Sequence, residues 1–301
     1  MKIRIGYGLG TQGLASNGSF GLFVDQLEAL GFDSLWLSER VTGGAIDPAA
    51  GMAFAAGRTA RLKFGTSVMV LPGRNPVLLA KELATIDLLS AGRLLPAFGL
   101  GVADGAEQQA FGVARGDRAA WFDEALPLIR RLWAEDRVDH HGVRFHFDAV
   151  TIGLRPQQEP LDVWLGGRAP SELRRVGRLG DGWLPSFCTP AGAAAGRLVI
   201  EAAAAEAGRR IDPEHFGALI AYSTTGPLPD RVLAALAARR ADIDPTEVIP
   251  VGLAALRRTI ERFVEVGFSK FVLVPLVEPP SWPDELGALA EQVLPLQLSP
   301  A

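Results

Sequence analysis

Few side chains in this 301-residue sequence stand in patterns that chemistry can use, and three short segments hold them. The first is Ser38-Glu39-Arg40, at the end of the apolar run from Ser34. A carboxyl group moves protons when it lies within hydrogen-bond reach of a reacting atom. A guanidinium stays protonated in proteins, so Arg40 is no base and is suited to orienting a carbonyl or an anion. Glu39 either supplies a proton or pairs with Arg40 on the rim of a site. The second segment is Gly99-Leu100-Gly101-Val102-Ala103-Asp104. Its glycines let backbone approach a flat ligand, and Asp is a type that caps a following segment through local hydrogen bonds. The third is Gly166-Gly167-Arg168, with Pro170-Ser171-Glu172 behind it. It reads as a strand end opening onto a helix, whose free N–H groups form an anion site to which Arg168 adds charge. The plainer alternative is a tight turn that needs glycine.

Other reactive residue types offer less. Cys188 is the single cysteine, so no intrachain disulfide forms and a reducing, cytoplasmic setting is expected. No nucleophile signature surrounds it, and it reads as packing. His140, His141 and His146 cluster beside Asp139 and Asp148 without helical zinc spacing, so no metal site is expected. With 30 basic against 34 acidic residues, the chain lacks the positive balance that a nucleic-acid partner demands. No run approaches the roughly 18 apolar residues of a membrane span. Met1 to Ile5 reads as a strand opening rather than a signal peptide. The expected partner is a small molecule.

Each of the three segments needs a rigid element to present it. Short apolar runs alternate with longer segments of helical period, the pattern of βα units and a parallel sheet. Strands are expected at Ile3 to Gly8, Ser34 to Ser38, Lys63 to Leu71, Leu94 to Gly101, Val163 to Leu165, Gly182 to Leu184, His215 to Thr224 and Lys270 to Val274. Helices are expected at Gly18 to Gly31, from Pro76 to a stop at Gly92, at Asp117 to Trp133 and at Pro170 to Arg178. An exposed alanine-rich helix is expected over 191–207, extra helices near 230–265 broken near Pro245 and Pro250, and a last one at Trp282 to Leu294. Val138 to Val150 reads as a hairpin-like excursion. The whole predicts an α/β chain with a single (β/α)8 TIM barrel as one domain over residues 1–301, an ordinary length for a fold of about 250 residues with extensions. An open doubly wound sheet would show Gly-x-Gly-x-x-Gly after its first strand. Gly6-Tyr7-Gly8-Leu9-Gly10 has the wrong spacing, and Gly99-Leu100-Gly101 is followed by Asp104. In a barrel, chemistry gathers where the strands end, and all three segments fall at such ends.

Specific residues add a resemblance. Gly65-Thr66-Ser67-Val68-Met69-Val70-Leu71-Pro72 with Arg74-Asn75-Pro76, the segment Leu79 to Leu94, and Gly99-x-Gly101 with Glu107, Phe111-Gly112, Arg118, Glu124 and Leu132-Trp133 form one dense set. Val163-Trp164-Leu165-Gly166-Gly167 and Gly180-Asp181-Gly182-Trp183 extend it. Together they resemble the luciferase-like superfamily between residues 30 and 185, and most of all its actinobacterial coenzyme F-420 (F420)-dependent oxidoreductases. The resemblance implies a bulge at Ser67-Val68, with a non-proline cis peptide pressed against a deazaflavin ring. It places that ring by Ser38, Gly101, Val102 and Ala103, and the coenzyme phosphate at Gly166, Gly167 and Arg168. Asp104 falls where relatives can carry an acidic residue near the ring, and with Glu39 and Arg40 it completes the candidate catalytic set. Relatives commonly have an acidic residue and then a histidine at positions 39 and 40, and the histidine is the base of sugar-oxidising members. Arg40 departs from that pattern and favours a reductase over an alcohol dehydrogenase.

The expected function is hydride transfer between coenzyme F-420 and a small organic substrate, in a family whose members are often homodimers. Two alternatives stay open: an FMN-dependent monooxygenase that uses oxygen and a separate flavin reductase, and a non-catalytic flavin or deazaflavin carrier. Lys81, Glu82, Asp87 and Arg93 match the family and read as structural. Trp36, Trp133, Trp164 and Trp183 read as core.

Overall fold

A computed structural model describes residues 1–11, 19–238 and 240–297. Its strands are β1 (Arg4–Gly8), β2 (Ser34–Leu37), β3 (Lys63–Thr66), β4 (Met69–Val70), β5 (Leu94–Leu95), β6 (Ala97–Gly99), β7 (Val138–His141), β8 (His146–Val150), β9 (Trp164–Leu165), β10 (Gly182–Trp183), β11 (Gly217–Tyr222) and β12 (Lys270–Pro275). One sheet runs β11-β12-β1-β2-β3-β5 and another β10-β9-β6-β4. All neighbours in both are parallel. Parallel bridges Trp183–Phe216 and Ser186–Leu219 join the end strands of the two sheets. Strands of this kind are covered on both faces, which is why β2 and β12 are buried throughout and are apolar after their first residues, Ser34 and Lys270. The architecture is α/β with parallel sheets.

The expected strand Lys63 to Leu71 is divided. Its break lies at Ser67-Val68, where the peptide bond is cis. β3 pairs with β2 and β5, whereas β4 pairs with β6, so the bulge hands the chain from one sheet to the other. Leu94 to Gly101 is likewise split at Pro96, whose ring nitrogen has no hydrogen to donate. The first helix is Ser19–Leu30; the expected start at Gly18 lies outside the described residues. The stretch 230–265 holds the helices Asp230–Ala237, Pro245–Val248 and Leu253–Glu265, with Arg239 outside the described residues. β7 and β8 pair antiparallel as a two-stranded sheet.

The alanine-rich helix is exposed on one face and buried on the other. Pro190–Glu206 buries Ala193, Gly196, Ile200, Ala203 and Ala204. Its small residues allow close packing: a Cβ on Gly177 of the helix Pro170–Leu179 would come within 2.5 Å of the Ile200 carbonyl and 2.7 Å of Ala203 Cβ. Three of the four family-matched charges hold neighbouring chain. Lys81 donates to the Ile152 carbonyl at 2.7 Å, Asp87 accepts from Gln158 N at 2.9 Å, and Arg93 donates to the carbonyls of Ala56, Leu62 and Ser90. Glu82 is half-buried, and burial pushes its carboxyl up. All four tryptophans named above are buried. Among the described residues no helix is long and apolar enough to cross a membrane.

Candidate active site

A cavity of about 500 Å³ opens where the parallel strands end. Leu9, Ser38 and Ser67 line it just past β1, β2 and β3, and Leu100, Gly166 and Leu184 just past β6, β9 and β10. Ala221 and Pro275 line it from the ends of β11 and β12. Its volume is that of a small-molecule site, roughly 300–1,000 Å³.

Hydrogen bonds stitch the bulge to the loop after β2. Ser67 N donates to the Leu37 carbonyl at 2.8 Å, and Ser38 Oγ donates to the Ser67 carbonyl at 3.1 Å. Glu39 N donates to the Val68 carbonyl at 3.2 Å. Val68 then stands in the cavity against two glycines. A Cβ on Gly99 would lie 2.5 Å from Val68 Cγ2, and one on Gly166 3.2 Å from Val68 Cγ1. The space these glycines leave is therefore taken by Val68, which offers a branched apolar surface to whatever lies above it.

Charges around the cavity are mostly committed. Glu39 is buried; it pairs with Arg74 and accepts from Val70 N at 2.7 Å. Burial pushes its carboxyl up, and the Arg74 guanidinium and the Val70 amide work against that rise. Arg40 is half-buried and lines the cavity, and no hydrogen-bond or ion-pair partner for its guanidinium is found among the described residues. Glu107, also in the lining, accepts from Thr42 N at 2.9 Å and Thr42 Oγ1 at 2.6 Å. Burial alone would raise its carboxyl, but the Thr42 bonds hold it below the usual glutamate range.

The structure brings Ser38, Glu39, Arg40, Ser67, Val68, Gly101, Val102, Gly166 and Gly167 into the lining of this one cavity, and leaves Ala103, Asp104 and Arg168 outside it. Gly101 takes φ +80°, a left-handed conformation that glycine adopts freely, and Arg118 holds its loop by donating to the carbonyls of Leu100 at 3.2 Å and Val102 at 2.7 Å. Asp104 caps the helix Gly105–Phe111, its Oδ1 accepting from Ala106 N at 3.0 Å and Glu107 N at 3.1 Å. At the third segment, the amides of Arg168 and Ala169 both donate to Glu172 Oε2 at 2.8 Å. The anion seat there is held by a carboxylate of the chain itself. Cys188 is half-buried, and burial pushes its thiol up.

The sequence profile described as luciferase-like monooxygenase matches residues 8–227. The chain belongs to that family. Over 192 residues it is 31% identical to an F420-dependent glucose-6-phosphate dehydrogenase of Kineococcus radiotolerans, a match covering 60% of this chain and 56% of that protein. The chain thus spans about half the length of the curated relatives it matches. Its fold is that of an F420-dependent secondary alcohol dehydrogenase in complex with an F420-acetone adduct, with TM-score 0.81, 21% identity and complete coverage of both chains. It also overlays the monooxygenase RslO1 from Streptomyces bottropensis, with TM-score 0.79, 24% identity, and coverage of 98% of this chain and 99% of the other.

Four positions in or beside the cavity of this luciferase-like chain escape a reading by sequence. Arg74 and Arg118 belong to the family-matched set, but nothing local points to their partners, Glu39 and the Leu100 and Val102 carbonyls. Glu107 carries no local sign that it binds Thr42, which is 65 residues away. Phe187 lines the cavity at φ +50°, and a lone aromatic in a loop gives no such signal.

Proposed function

We propose that the chain is an F-420-dependent oxidoreductase that moves hydride between the deazaflavin and a small carbonyl substrate, acting as a reductase. The two parallel sheets then form one closed eight-stranded barrel with the site at its mouth; the bridges Trp183–Phe216 and Ser186–Leu219 support that closure. One observation carries the functional reading: Ser38, the Ser67-Val68 bulge, Gly101-Val102 and Gly166-Gly167 converge on a single cavity. Val68, Phe98, Leu165, Leu184 and Leu219 are among its apolar lining, of a kind suited to the face of a flat ring. When bound, the deazaflavin supplies two-electron hydride chemistry.

The chain's own residues bind and orient. Val68 would offer the deazaflavin an apolar surface, and the backbone of Gly101 and Val102 would let it approach closely. Glu39 holds the bulge through Val70 N, and Asp104 holds a helix by its cap; both carboxylates are committed to these bonds. Arg40 faces the cavity and orients the substrate carbonyl. No histidine lines the cavity among the described residues, so no imidazole waits to take a hydroxyl proton, which supports reduction over alcohol oxidation. The coenzyme phosphate is assigned to the Gly166-Gly167-Arg168 loop, where it meets amides that Glu172 now occupies.

A fluorescence titration with F-420 and FMN side by side tests this reading. Micromolar F-420 binding, at least about tenfold tighter than FMN, is expected. Selective FMN binding would move the chain to the oxygen-using members, with a separate flavin reductase as partner. Binding of neither would remove the phosphate assignment first.

A further inference from the structure

Two arginines, Arg40 and Arg175, are among the described residues that line the cavity. Arg175 is spoken for: its Nε donates to Asp123 at 2.6 Å, and it lies over the Phe122 ring. The three lining carboxylates are also spoken for, Glu39 by Arg74, Glu107 by Thr42, and Glu172 by the amides of Arg168 and Ala169. Among the described residues the Arg40 guanidinium has no hydrogen-bond or ion-pair partner; the Glu107 carboxylate, already bonded to Thr42, acts on this half-buried cation only through space. Such a charge is costly until an acceptor meets it. A guanidinium fork matches a carboxylate with two parallel hydrogen bonds.

Arg40 is also held in place, although it touches no partner itself. Asp104 Oδ1 caps Glu107 N at 3.1 Å, and the Glu107 carboxylate clamps Thr42 through its amide and its hydroxyl. Gly43 N closes the turn onto the Arg40 carbonyl at 3.3 Å. The loop after β2 is thereby tied to the helix Gly105–Phe111 after β6. A cation that only needed solvent would not require this tether.

We propose that Arg40 forms a carboxylate subsite, that Glu107 and Thr42 are its positioning residues, and that the substrate carries a carboxylate beside its reacting carbonyl. The substrate clause rests on the oxidoreductase reading above; the subsite does not. The test is a calorimetric titration of the protein with malonate and with malonamide, its neutral counterpart. Malonate should bind at least about tenfold more tightly, and Arg40→Gln should bring the two affinities to within about twofold of each other. Arg40→Lys, which keeps the charge and loses the fork, should restore only part of the preference. Thr42→Val should weaken malonate by about three- to tenfold while F-420 affinity stays within about twofold, a split that a general packing defect would not give. Equal binding of the two probes by the wild type, or a preference that survives Arg40→Gln, would overturn the subsite. Loss of F-420 binding with the malonate preference intact would instead remove the oxidoreductase reading and leave the subsite standing.

Discussion

The guanidinium of Arg74 closes on the carboxylate of Glu39, while Arg40, the next residue in the chain after Glu39, faces the cavity. The Glu39 side chain is only 2% exposed, so its charge depends on that partner. Arg74→Met should cost about 3–5 kcal/mol by urea unfolding at pH 7, because it strands a buried carboxylate. Adding Glu39→Gln should recover much of the loss. Burial already raises the Glu39 carboxyl, and removing Arg74 raises it further. A raised carboxyl contributes stability in full below the unfolded-state value, near 4.5, and loses it as pH climbs through the folded value. The variant's deficit should therefore shrink as pH falls toward 4.5. A deficit constant with pH would show that Glu39 does not depend on Arg74.

Gly99 gives a second test, this one of packing. An added Cβ would sit 2.5 Å from Val68 Cγ2, and overpacking of that kind costs roughly 1–3 kcal/mol. Gly99→Ala should be destabilising, and Val68→Ala in the same chain should relieve it, so that the double variant is more stable than the two single losses predict. Strict additivity would mean that Gly99 serves something other than Val68.

These two relationships also show where a sequence stops being readable. The strand ends at Ser38, Ser67, Gly101 and Gly166 are legible because an apolar run followed by glycine or a small polar residue is a local signal, and the fold brings those ends together. The Glu39–Arg74 pair spans 35 positions and competes with an adjacent arginine, so adjacency favours the wrong partner. The Thr42–Glu107 clamp spans 65 positions and has no local mark at all. In the 191–207 stretch, alanine reads as helix propensity alone, whereas Ala203 and Ala204 are small because the backbone of Gly177 comes close to them. Side-chain pairings across loops depend on tertiary geometry, and periodicity does not carry that information.

Glu172 tests the phosphate assignment. Its carboxylate sits on the amides of Arg168 and Ala169, where a phosphate would need the same donors. Glu172→Gln keeps the shape and removes the negative charge. FMN and F-420 should then bind about three- to tenfold more tightly, while riboflavin, which has no phosphate, should be unaffected. An equal change for all three ligands would place the phosphate elsewhere, because the gain would then not be electrostatic.

Glu107 yields a prediction in pH. Hydrogen bonds from Thr42 hold its carboxyl below the usual 4.5, against the opposing effect of burial. A depressed carboxyl contributes stability that is present above the unfolded-state value and is lost as pH falls through the folded one. Glu107→Gln keeps an acceptor for Thr42 but exchanges charge-assisted bonds for neutral ones, which should cost about 1–2 kcal/mol at pH 7. The residue is 2% exposed, so solvent screens the charge little. As pH falls from 4.5, where the unfolded chain protonates, through the lower folded value, the wild type loses the same advantage, so the two stability curves should converge over that range. Because other carboxylates titrate alike in both chains, the difference between the curves isolates this one group. Curves that stay parallel from pH 7 into the acid range would show that Thr42 is held by something other than the ionised carboxylate.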